Sequence, residues 1–300
     1  MSEFHAVVRI IDSHVHLYPD VINRAPAAWA LANGEPHWAS LCVRRRKDGR
    51  AVQGFPSVEE LLREMDRVGV ERALLLGWYW QRAKNCAHQN RFFAELVRRY
   101  PERLSAFATV QPAEGVAQAV EELQRSHEEG LCGIGELSPH AQGYAMDGAE
   151  FAAVLAMAEK LKWPINLHVT DSRGRAYPGR VETPREDFIT VARAWPKVSL
   201  VLAHWGGGEP LRDLNAAKFD NVFYDTAASP LLYDAAMWGR FIRQVGAERV
   251  FFGSDFPLNN FPALTAEPEM GHLLEEVNGA GLSAPERDAL MRNNVARWLK

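Results

Sequence analysis

Short runs of apolar, largely β-branched residues recur along the chain and alternate with longer stretches of helical periodicity. Eight of these runs have the length of buried strands, at residues 6–12, 71–76, 104–110, 131–137, 164–169, 198–204, 221–226 and 249–254. Strands that are apolar on both faces and separated by helices are typical of parallel sheets. The pattern therefore predicts an α/β fold, a (β/α)8 TIM barrel.

Three predicted helices begin with a capping box, in which a hydroxyl side chain precedes a glutamate by three residues. The boxes run from Ser57 to Glu60, from Thr183 to Glu186 and from Ser283 to Glu286. Pro184 also follows Thr183 directly, and proline is favoured at the first helical position. Each box predicts that a helix begins just after its hydroxyl residue.

Two segments show neither the apolar runs of strands nor the periodicity of helices, namely residues 17–56 and residues 171–183. The first is rich in Trp, Pro and Arg, and each follows a predicted strand directly. In a (β/α)8 barrel, the loops after the strands form the mouth in which chemistry occurs. We therefore expect long βα loops at the C-terminal face that act as lids or substrate walls. The chain shows no internal repeat or linker, so residues 1–300 are expected to form a single domain.

Charge and hydropathy narrow the choice of partner. The chain has 34 Lys and Arg against 38 Asp and Glu, a net charge of −4, so no excess of positive charge favours a nucleic acid or an anionic membrane. No apolar run approaches the roughly 20 residues of a spanning helix. We therefore expect a small-molecule substrate, with neither nucleic acid nor membrane as partner. A homodimer is compatible with this composition, which does not decide it.

The cysteines and the N-terminus favour the cytoplasm. Cys42, Cys86 and Cys132 are odd in number, widely separated and without a C-x-x-C pair, which indicates reduced thiols. The first residues lack the basic region, long apolar segment and small-residue cleavage site of a secretion signal. We therefore predict a soluble, cytoplasmic protein.

Four histidines stand at the ends of predicted strands. His14 and His16 are two residues apart, and such residues share one face of a strand. His168 ends the fifth predicted strand and His204 the sixth. A lone H-x-H is about as often a pair of ordinary polar residues, but the repetition at strand ends favours metal ligands. The sequence thus predicts a metal centre at the mouth.

Three carboxylates also lie in or at the ends of the predicted strands or directly after them. Asp255 emerges from the apolar eighth strand, where a metal or a histidine would stabilise its charge, and a turn contact with Ser254 is the alternative. Glu136 ends the fourth strand, where it either completes a second metal position or pairs with an arginine or lysine. Asp12 is expected one layer deeper than the histidines, accepting a hydrogen bond beneath them.

In this order along the chain, His14-x-His16, Glu136, His168, His204-Trp-Gly-Gly and Gly-Ser-Asp255-Phe-Pro resemble the amidohydrolase superfamily, and most closely its amidohydrolase-2 branch. That branch includes aminocarboxymuconate-semialdehyde decarboxylase, resorcylate decarboxylases and lactonases for ring-cleavage products. The resemblance spans Ile11 to the final helix. It implies that His14, His16, His168 and Asp255 are metal ligands and that His204 is a catalytic residue that does not bind the metal.

Glu136, on the fourth predicted strand, leaves open whether the centre binds one metal ion or two. Members of the superfamily with a carboxylated lysine carry that lysine on strand four, where this chain has Glu136. A glutamate at this position also resembles the TatD-like deoxyribonuclease branch. The resemblance therefore implies one divalent ion, for which zinc is the first expectation, or a second one if Glu136 is a ligand.

The activity expected from the resemblance is hydrolysis of a small, carboxylated lactone, amide or ester by a metal-activated water. Asp255 would accept the proton of that water and return it to the leaving group, while His204 would stabilise the developing oxyanion. The alternative is a non-oxidative decarboxylase of an aromatic or muconate-type acid, in which Asp255 or His204 protonates the ring carbon. A barrel that binds a ligand without turnover is an alternative of another class.

Substrate-binding residues are expected in the loops at the mouth. Arg44, Arg45, Arg46 and Arg175 lie in the two long loops and are candidates for bidentate binding of a substrate carboxylate, although solvated arginines are the commoner case. Trp205 follows His204 directly and is a further candidate for a substrate contact.

Overall fold

The computed structural model describes residues 9–213, 218–259 and 267–299. Eight strands lie in these ranges, and each overlaps a predicted run: β1 (Ile10–Val15), β2 (Val70–Leu75), β3 (Leu104–Ala106), β4 (Ile134–Leu137), β5 (Ile165–Leu167), β6 (Leu200–Leu202), β7 (Val222–Asp225) and β8 (Val250–Phe251). The eight predicted strands are therefore confirmed. The first differs most, since it continues to Val15 and so includes His14. Residues 6–8 of its predicted run lie outside the described residues.

Helices connect the strands. Those of eight residues or more in the described ranges are α1 (Pro26–Asn33), α2 (Val58–Val68), α3 (Ala83–Arg99), α4 (Val116–Glu128), α5 (Ala149–Leu161), α6 (Arg185–Ala194), α7 (Ala236–Val245) and α8 (Gly271–Gly279). Shorter helical turns lie at Asp20–Asn23, Pro36–Trp38, Ala39–Val43, Pro112–Glu114, Pro139–Gln142, Ala203–Gly206, Glu209–Leu211, Ser229–Leu232, Ala247–Arg249, Ala284–Asp288, Ala289–Asn293 and Asn294–Ala296. None of these described helices combines the length and the hydropathy that a membrane crossing requires.

Neighbouring strands all pair in parallel, in the orders β1-β2-β3 and β4-β5-β6-β7-β8. Two backbone hydrogen bonds show how these sheets meet. Between β3 and β4, the Cys132 N–H donates to the Ala106 carbonyl at 2.9 Å, and between β8 and β1 the Ser13 N–H donates to the Phe252 carbonyl at 2.8 Å. The strands thus close into the predicted (β/α)8 barrel, whose C-terminal strand ends share one rim.

The two faces of each strand are apolar for different reasons. Leu75 of β2 packs in the cluster that contains the helix side chains Leu61 and Phe93, whereas its neighbour Leu74 belongs to a second cluster with Phe251. Since successive strand residues point to opposite faces, the first cluster lies between barrel and helices and the second lies inside the barrel. This explains why the runs are continuously apolar rather than alternating.

The C-terminal segment covers the barrel at the end where the strands begin. The Nδ2 of Asn294, which is buried, donates to the carbonyls of Ala247 and Val250 at 2.7 and 2.8 Å. Val295 and Trp298 pack with the interior cluster. The last described residues therefore fill the end of the barrel opposite the rim that carries the histidines.

The first long loop is more regular than the sequence predicts. Residues 17–56 contain α1 and several short helical turns. Pro26 begins α1, Gly34 ends it in the left-handed conformation, and Pro36 begins the next turn. Tyr18 and Trp38 of this loop pack in one aromatic cluster with Trp78, Tyr79 and Trp80, which follow β2. Residues 171–183 contain no helix or strand, as predicted.

Two of the three capping boxes are confirmed, those of Ser57 and Ser283. The prediction for Thr183 is wrong. Its Oγ1 accepts the N–H of Thr170 at 2.8 Å, so the hydroxyl closes the loop between the two threonines instead of capping a helix. The helix α6 begins at Arg185, one residue later than the box predicts, with Pro184 at the N-cap.

Candidate metal centre

His14 and His16 present their Nε2 atoms to the barrel mouth. The Nδ1 of His14 lies 2.9 Å from Oδ2 of Asp225, and the Nδ1 of His16 lies 3.1 Å from the Leu76 carbonyl oxygen. Both partners are acceptors, so each Nδ1 carries a hydrogen and donates it. The two Nε2 atoms then face each other at 3.2 Å, an approach that a positive charge between them stabilises, either a proton or a metal cation.

Two carboxylates converge on the same two nitrogen atoms. Oδ1 of Asp255 lies 3.8 Å from His14 Nε2 and 3.7 Å from His16 Nε2. Oε2 of Glu136 lies 4.0 and 3.6 Å from the same atoms. Donor atoms that share one ion at 2.0 to 2.2 Å are themselves about 3 to 3.6 Å apart, close to these spacings. His14, His16 and Glu136 offer one ligand atom each within 4.8 Å of one another, a set that fits a divalent cation, and Asp255 lies beside the two imidazoles.

The electrostatics of the metal-free protein favour a cation at this position. Burial alone would lower the pKa of His14, but the carboxylates of Asp225, Asp255 and Glu136 outweigh burial and raise that pKa to about 10. Burial and the charge on His14 lower the pKa of His16. One added proton is thus held strongly between the two rings, which is the place that a metal ion would take.

Glu136 is buried and uses its two oxygens on different partners. Burial would raise the pKa of its carboxyl, but charge and hydrogen bonds from His168 and His204 hold that pKa well below its usual range. Its Oε1 lies 2.9 Å from Nδ1 of His168 and 3.5 Å from Nε2 of His204. Glu136 therefore stands between the two pairs of histidines, and within the described ranges its ion pairs are with histidines rather than with an arginine or lysine.

Asp225 is a functional candidate that the sequence analysis missed. It is fully buried at the end of β7, where Oδ2 accepts from His14 and from Nδ2 of Asn166, and Oδ1 accepts from the N–H groups of His204 and Ala227. Burial would raise its pKa, but the charge of His14 and these hydrogen bonds lower it, so the side chain is ionised. The signal was available, because Asp225 is a polar residue that ends an apolar run, like the histidines.

Asp12 lies beneath the ligand atoms. Its Oδ1 accepts the backbone N–H groups of His14 and Ser254, each at 3.0 Å, and therefore ties β1 to the segment that follows β8. Burial raises the pKa of this carboxyl to about 6. Asp255, which the same segment carries, has a φ of 64°, a conformation that is uncommon for a residue other than glycine.

A left-handed turn carries His204 into the mouth. The φ angles of five successive residues, 204 to 208, lie between 56° and 72°. His204 Nδ1 lies 3.1 Å from the Ala227 carbonyl, which leaves its Nε2 facing Glu136 and His168. Non-glycine residues in this conformation cost roughly 1 to 2 kcal/mol each, and such cost is typical of functional sites. The three glycines that follow allow the turn to continue.

The predicted contact of Trp205 with substrate is wrong. The side chain has no exposed surface, its Nε1 donates to Ser229 Oγ at 3.1 Å, and its ring packs against Trp238 and Phe241 of α7. The left-handed turn directs this residue into the core while its neighbour His204 enters the mouth.

The four arginines occupy different environments. Arg45 and Arg175 are exposed, and Arg45 Nη1 donates to the Gly49 carbonyl within its own turn. Arg46 is half-buried and donates to the Asn259 carbonyl at 2.8 Å. Arg44 is half-buried as well, and its Nε has no hydrogen-bond partner among the described residues. A role in binding a substrate carboxylate stays a prediction for all of them.

A buried pair of aromatic rings packs against two of the histidines. Trp78 and Tyr79 stack with ring centroids 4.3 Å apart and an interplanar angle of 24°. The Trp78 ring lies 5.3 Å from that of His16, and the Tyr79 ring lies 5.3 Å from that of His168. Trp78 is 7% and Tyr79 2% exposed, so the two rings support the imidazoles and are not open to the mouth.

Comparison with known proteins places these observations in a family. A family model described as "Amidohydrolase" matches residues 11–300. The 5-carboxyvanillate decarboxylase of Sphingomonas paucimobilis superposes with a TM-score of 0.73 at 18% identity, covering 98% of this chain and 99% of that one. A dihydroxybenzoic acid decarboxylase of Polaromonas, solved with bound manganese and an inhibitor, gives 0.69 at 17% identity, covering 98% and 97%. The 2,6-dihydroxybenzoate decarboxylase of Rhizobium gives 0.66 at 19% identity, covering 98% and 99%.

Proposed function

The chain belongs to the amidohydrolase family, and from its mouth we propose that it is a metal-dependent, non-oxidative decarboxylase of a planar unsaturated acid. The observation that carries the proposal is a cation position beside His204, an imidazole whose pKa is raised to about 8 and whose Nε2 lies 3.5 Å from the Glu136 carboxylate. A cation that can bind an acid and a protonated side chain next to it are the two groups that decarboxylation of an aromatic or muconate-type acid requires. The decarboxylases that share this fold support the same conclusion. Hydrolysis, which the sequence favours, becomes the second candidate.

The residues that would hold the ion are His14, His16 and Glu136, whose ligand atoms lie within 4.8 Å of one another, with Asp255 beside the two imidazoles. His168, the fourth predicted ligand, faces the other oxygen of Glu136, and its role as a ligand stays a prediction. A divalent cation bound there would neutralise the substrate carboxylate and an oxygen next to it, and so fix the ring in the mouth. Two nitrogen and two oxygen donors suit zinc, as the sequence predicts, and also manganese, the ion bound in the Polaromonas enzyme.

The protein's part in the reaction is to hold the ring and to supply a proton. His204 is suited to the second task, since hydrogen bonding to Glu136 and nearby carboxylates overcome burial and raise its pKa to about 8, so its ring is protonated at neutral pH. Transfer of that proton to the ring carbon that bears the carboxylate allows the bond between the two carbons to break. Carbon dioxide leaves, and the hydrogen takes its place.

Hydrolysis is kept as a second candidate because of Asp255. Its side chain is 13% exposed, whereas those of His14, His16 and Glu136 are exposed by 3% or less. A carboxylate at the open side of a cation position is placed to accept a proton from water.

One assay panel separates the two reactions. Protein reconstituted with manganese or zinc is mixed with ortho-hydroxybenzoates, muconate-type acids, lactones and amides, and carbon dioxide release and proton release are followed in parallel. We expect carbon dioxide from at least one planar acid and, in deuterated water, one deuterium at the vacated carbon. His204→Asn should abolish this activity, and His140→Asn, which alters a histidine paired with Asp187, should not.

Three results would count against the proposal. Proton release from a lactone or amide without carbon dioxide would favour hydrolysis. A metal content below about one tenth of an equivalent after reconstitution would favour a binding protein without turnover. Unchanged decarboxylation in His204→Asn would remove His204 from the proton transfer.

A further inference from the structure

We propose that the protein has a second binding site outside the mouth, a pocket beneath α6 that takes a neutral molecule with one aromatic ring. The floor of this α6 pocket is made by Phe188 and Ala192 of α6, Leu202 of β6, and Val222 and Tyr224 of β7. All five side chains are buried and belong to the cluster between barrel and helices. The α6 pocket therefore lies on the outer face of the barrel, whereas the cation position lies at its mouth.

The size of the α6 pocket suits a single ring. Its volume is about 190 Å³. An apolar cavity of about 150 Å³ is large enough to hold benzene. One aromatic ring with a small substituent therefore fits the α6 pocket, and binding would remove its apolar surface from water against the aliphatic and aromatic side chains of the floor.

The rim of the α6 pocket is charged but does not suit a bound acid. Among the described residues that line the pocket, Arg185 is the one cationic side chain, and it already pairs with Glu186 and Asp213. Two carboxylates, those of Glu182 and Glu209, stand at the same rim. Burial of a carboxylate without a cation of its own is costly, so the pocket should reject an aromatic acid and accept a neutral ring.

The hydroxyl groups of the lining are engaged with protein partners. Thr183 Oγ1 accepts from the Thr170 N–H at 2.8 Å and donates to the Thr170 carbonyl at 3.3 Å. The hydroxyl of Ser172 donates to Glu209 at 3.1 Å, and that of Thr170 lies 3.4 Å from His168 Nε2. These polar atoms therefore bind one another, which leaves shape and apolar contact as the basis of recognition.

The α6 pocket also borders the two segments that carry His168 and His204. Thr170 and Gly206, each two residues after one of these histidines, line the pocket. The inference rests on the proposed function at one point, the natural source of the ligand. Decarboxylation turns an aromatic acid into a neutral ring, so the product fits the α6 pocket and the substrate does not.

Binding is measured with toluene and benzoate, which carry a methyl group or a carboxylate on the same ring. The zinc-reconstituted full chain, labelled with carbon-13 at its isoleucine methyl groups, is titrated with each probe. The Ile189 signal reports the α6 pocket alone, because Ile189 lines it. We expect toluene to shift this signal saturably and benzoate to bind at least about tenfold more weakly.

Two variants of one helix test the location of the site. Ala192→Leu adds an isopropyl group to the floor of the α6 pocket, so we expect toluene binding to be lost. Ala194→Leu makes the same change at an exposed position of α6 and should leave binding unaltered. Ala192→Val adds less volume, guards against a folding defect of the leucine variant, and should weaken binding about threefold or more. Circular dichroism confirms that each variant keeps its helix content.

The outcomes separate this site from the proposed function. Absence of a toluene-induced shift of Ile189 would overturn the site, and so would equal affinities for toluene in folded Ala192→Leu and Ala194→Leu. Equal affinities for toluene and benzoate would overturn the preference for a neutral ring. Toluene binding in a chain that releases no carbon dioxide from any acid would support the site and contradict the proposed function. Carbon dioxide release without toluene binding would do the reverse.

Discussion

At the scale of single residues, Asp225 organises the mouth without facing the cation position. Its four hydrogen bonds hold the ring of His14, the side chain of Asn166 and the backbone just after β6 and just after β7. A carboxylate behind a ligating imidazole fixes the tautomer and orients the ring. Asp225 is therefore a positioning residue, and its effect should appear in metal affinity.

The variant Asp225→Asn tests this role. An amide that turns its NH2 toward His14 favours the wrong tautomer, with the hydrogen on Nε2 where the ion binds. We expect the metal affinity to fall about 10- to 100-fold, measured by competition with a chromophoric chelator, with the circular dichroism spectrum unchanged. The control Asp220→Asn alters an exposed residue paired with Arg249 and should leave the affinity within twofold. Equal affinities for the two variants would contradict the role of Asp225.

Metal binding should also release protons. The pKa of His14 is raised to about 10 in the metal-free protein, so at pH 7 the ring carries the proton that the ion must displace. Since proton competition weakens as the pH rises toward that pKa, the apparent affinity should increase about tenfold per pH unit between pH 6 and 9. Calorimetric titrations at pH 7 in two buffers of different ionisation enthalpy should show about one proton released. An affinity that does not change with pH would exclude this account.

Individual residues were predictable where chemistry follows a simple position rule. The strand-end histidines, Glu136 and Asp255 are side chains that interrupt or end apolar runs, and the structure brings them together within a few ångströms. Trp205 was not predictable, because the sign of φ in the preceding residue decides whether its side chain faces the mouth or the core. Sequence periodicity carries no information about that sign.

At the scale of elements, the left-handed turn over residues 204–208 sets how the chain leaves β6. Hydrogen bonds from the Gly207 and Gly208 N–H groups to the carbonyls of His204 and Trp205 close it.

The capping boxes show where prediction from a local sequence motif fails. The box at Ser57 predicts its helix correctly, while the similar pattern at Thr183 fails since the backbone of Thr170 takes its hydroxyl. A local motif is reliable only when no distant partner competes for its side chain.

Gly206→Ala tests the turn against a matched glycine. A Cβ at Gly206 would lie 2.8 Å from the Tyr224 ring, whereas a Cβ at Gly69, which also has a positive φ, would meet nothing within 4 Å. We expect Gly69→Ala to lower the free energy of unfolding by about 1 to 2 kcal/mol through conformation alone. Gly206→Ala should cost roughly 1 to 3 kcal/mol more because of the clash. Urea unfolding of both variants measures the difference. Equal decreases in the free energy of unfolding would mean that the turn shifts enough to avoid the clash.

At the scale of the whole molecule, the two ends of the barrel have separate tasks. The rim after the strands carries the charged side chains, and the opposite end is filled by the C-terminal segment through Asn294, Val295 and Trp298. The barrel itself was predictable from eight apolar runs of the right length. The filling of its far end was not, since Val295 and Trp298 pack in one cluster with Ile11, a residue near the other end of the sequence.

Asn294→Ala should separate stability from metal binding. Removing the amide leaves the buried carbonyls of Ala247 and Val250 without this donor, so the free energy of unfolding should fall by about 1 to 3 kcal/mol. The metal content should be unchanged, because the altered contacts lie at the opposite end of the barrel. Gln124→Ala, in an exposed pair on α4, is the control and should change stability by less than about 0.5 kcal/mol. A loss of metal in Asn294→Ala would show that the two ends are coupled.

The contact between Trp78 and His16 gives the protein an optical reporter of its own. The indole ring stands edge-on to the imidazole at 5.3 Å, next to the position that binds either a proton or a cation. Indole emission is quenched by protonated imidazole and by paramagnetic ions, and so it depends on which of these occupies the site. Ion loading can therefore be followed by intrinsic fluorescence in unlabelled protein, with Trp78→Phe identifying the share of the signal that comes from this ring.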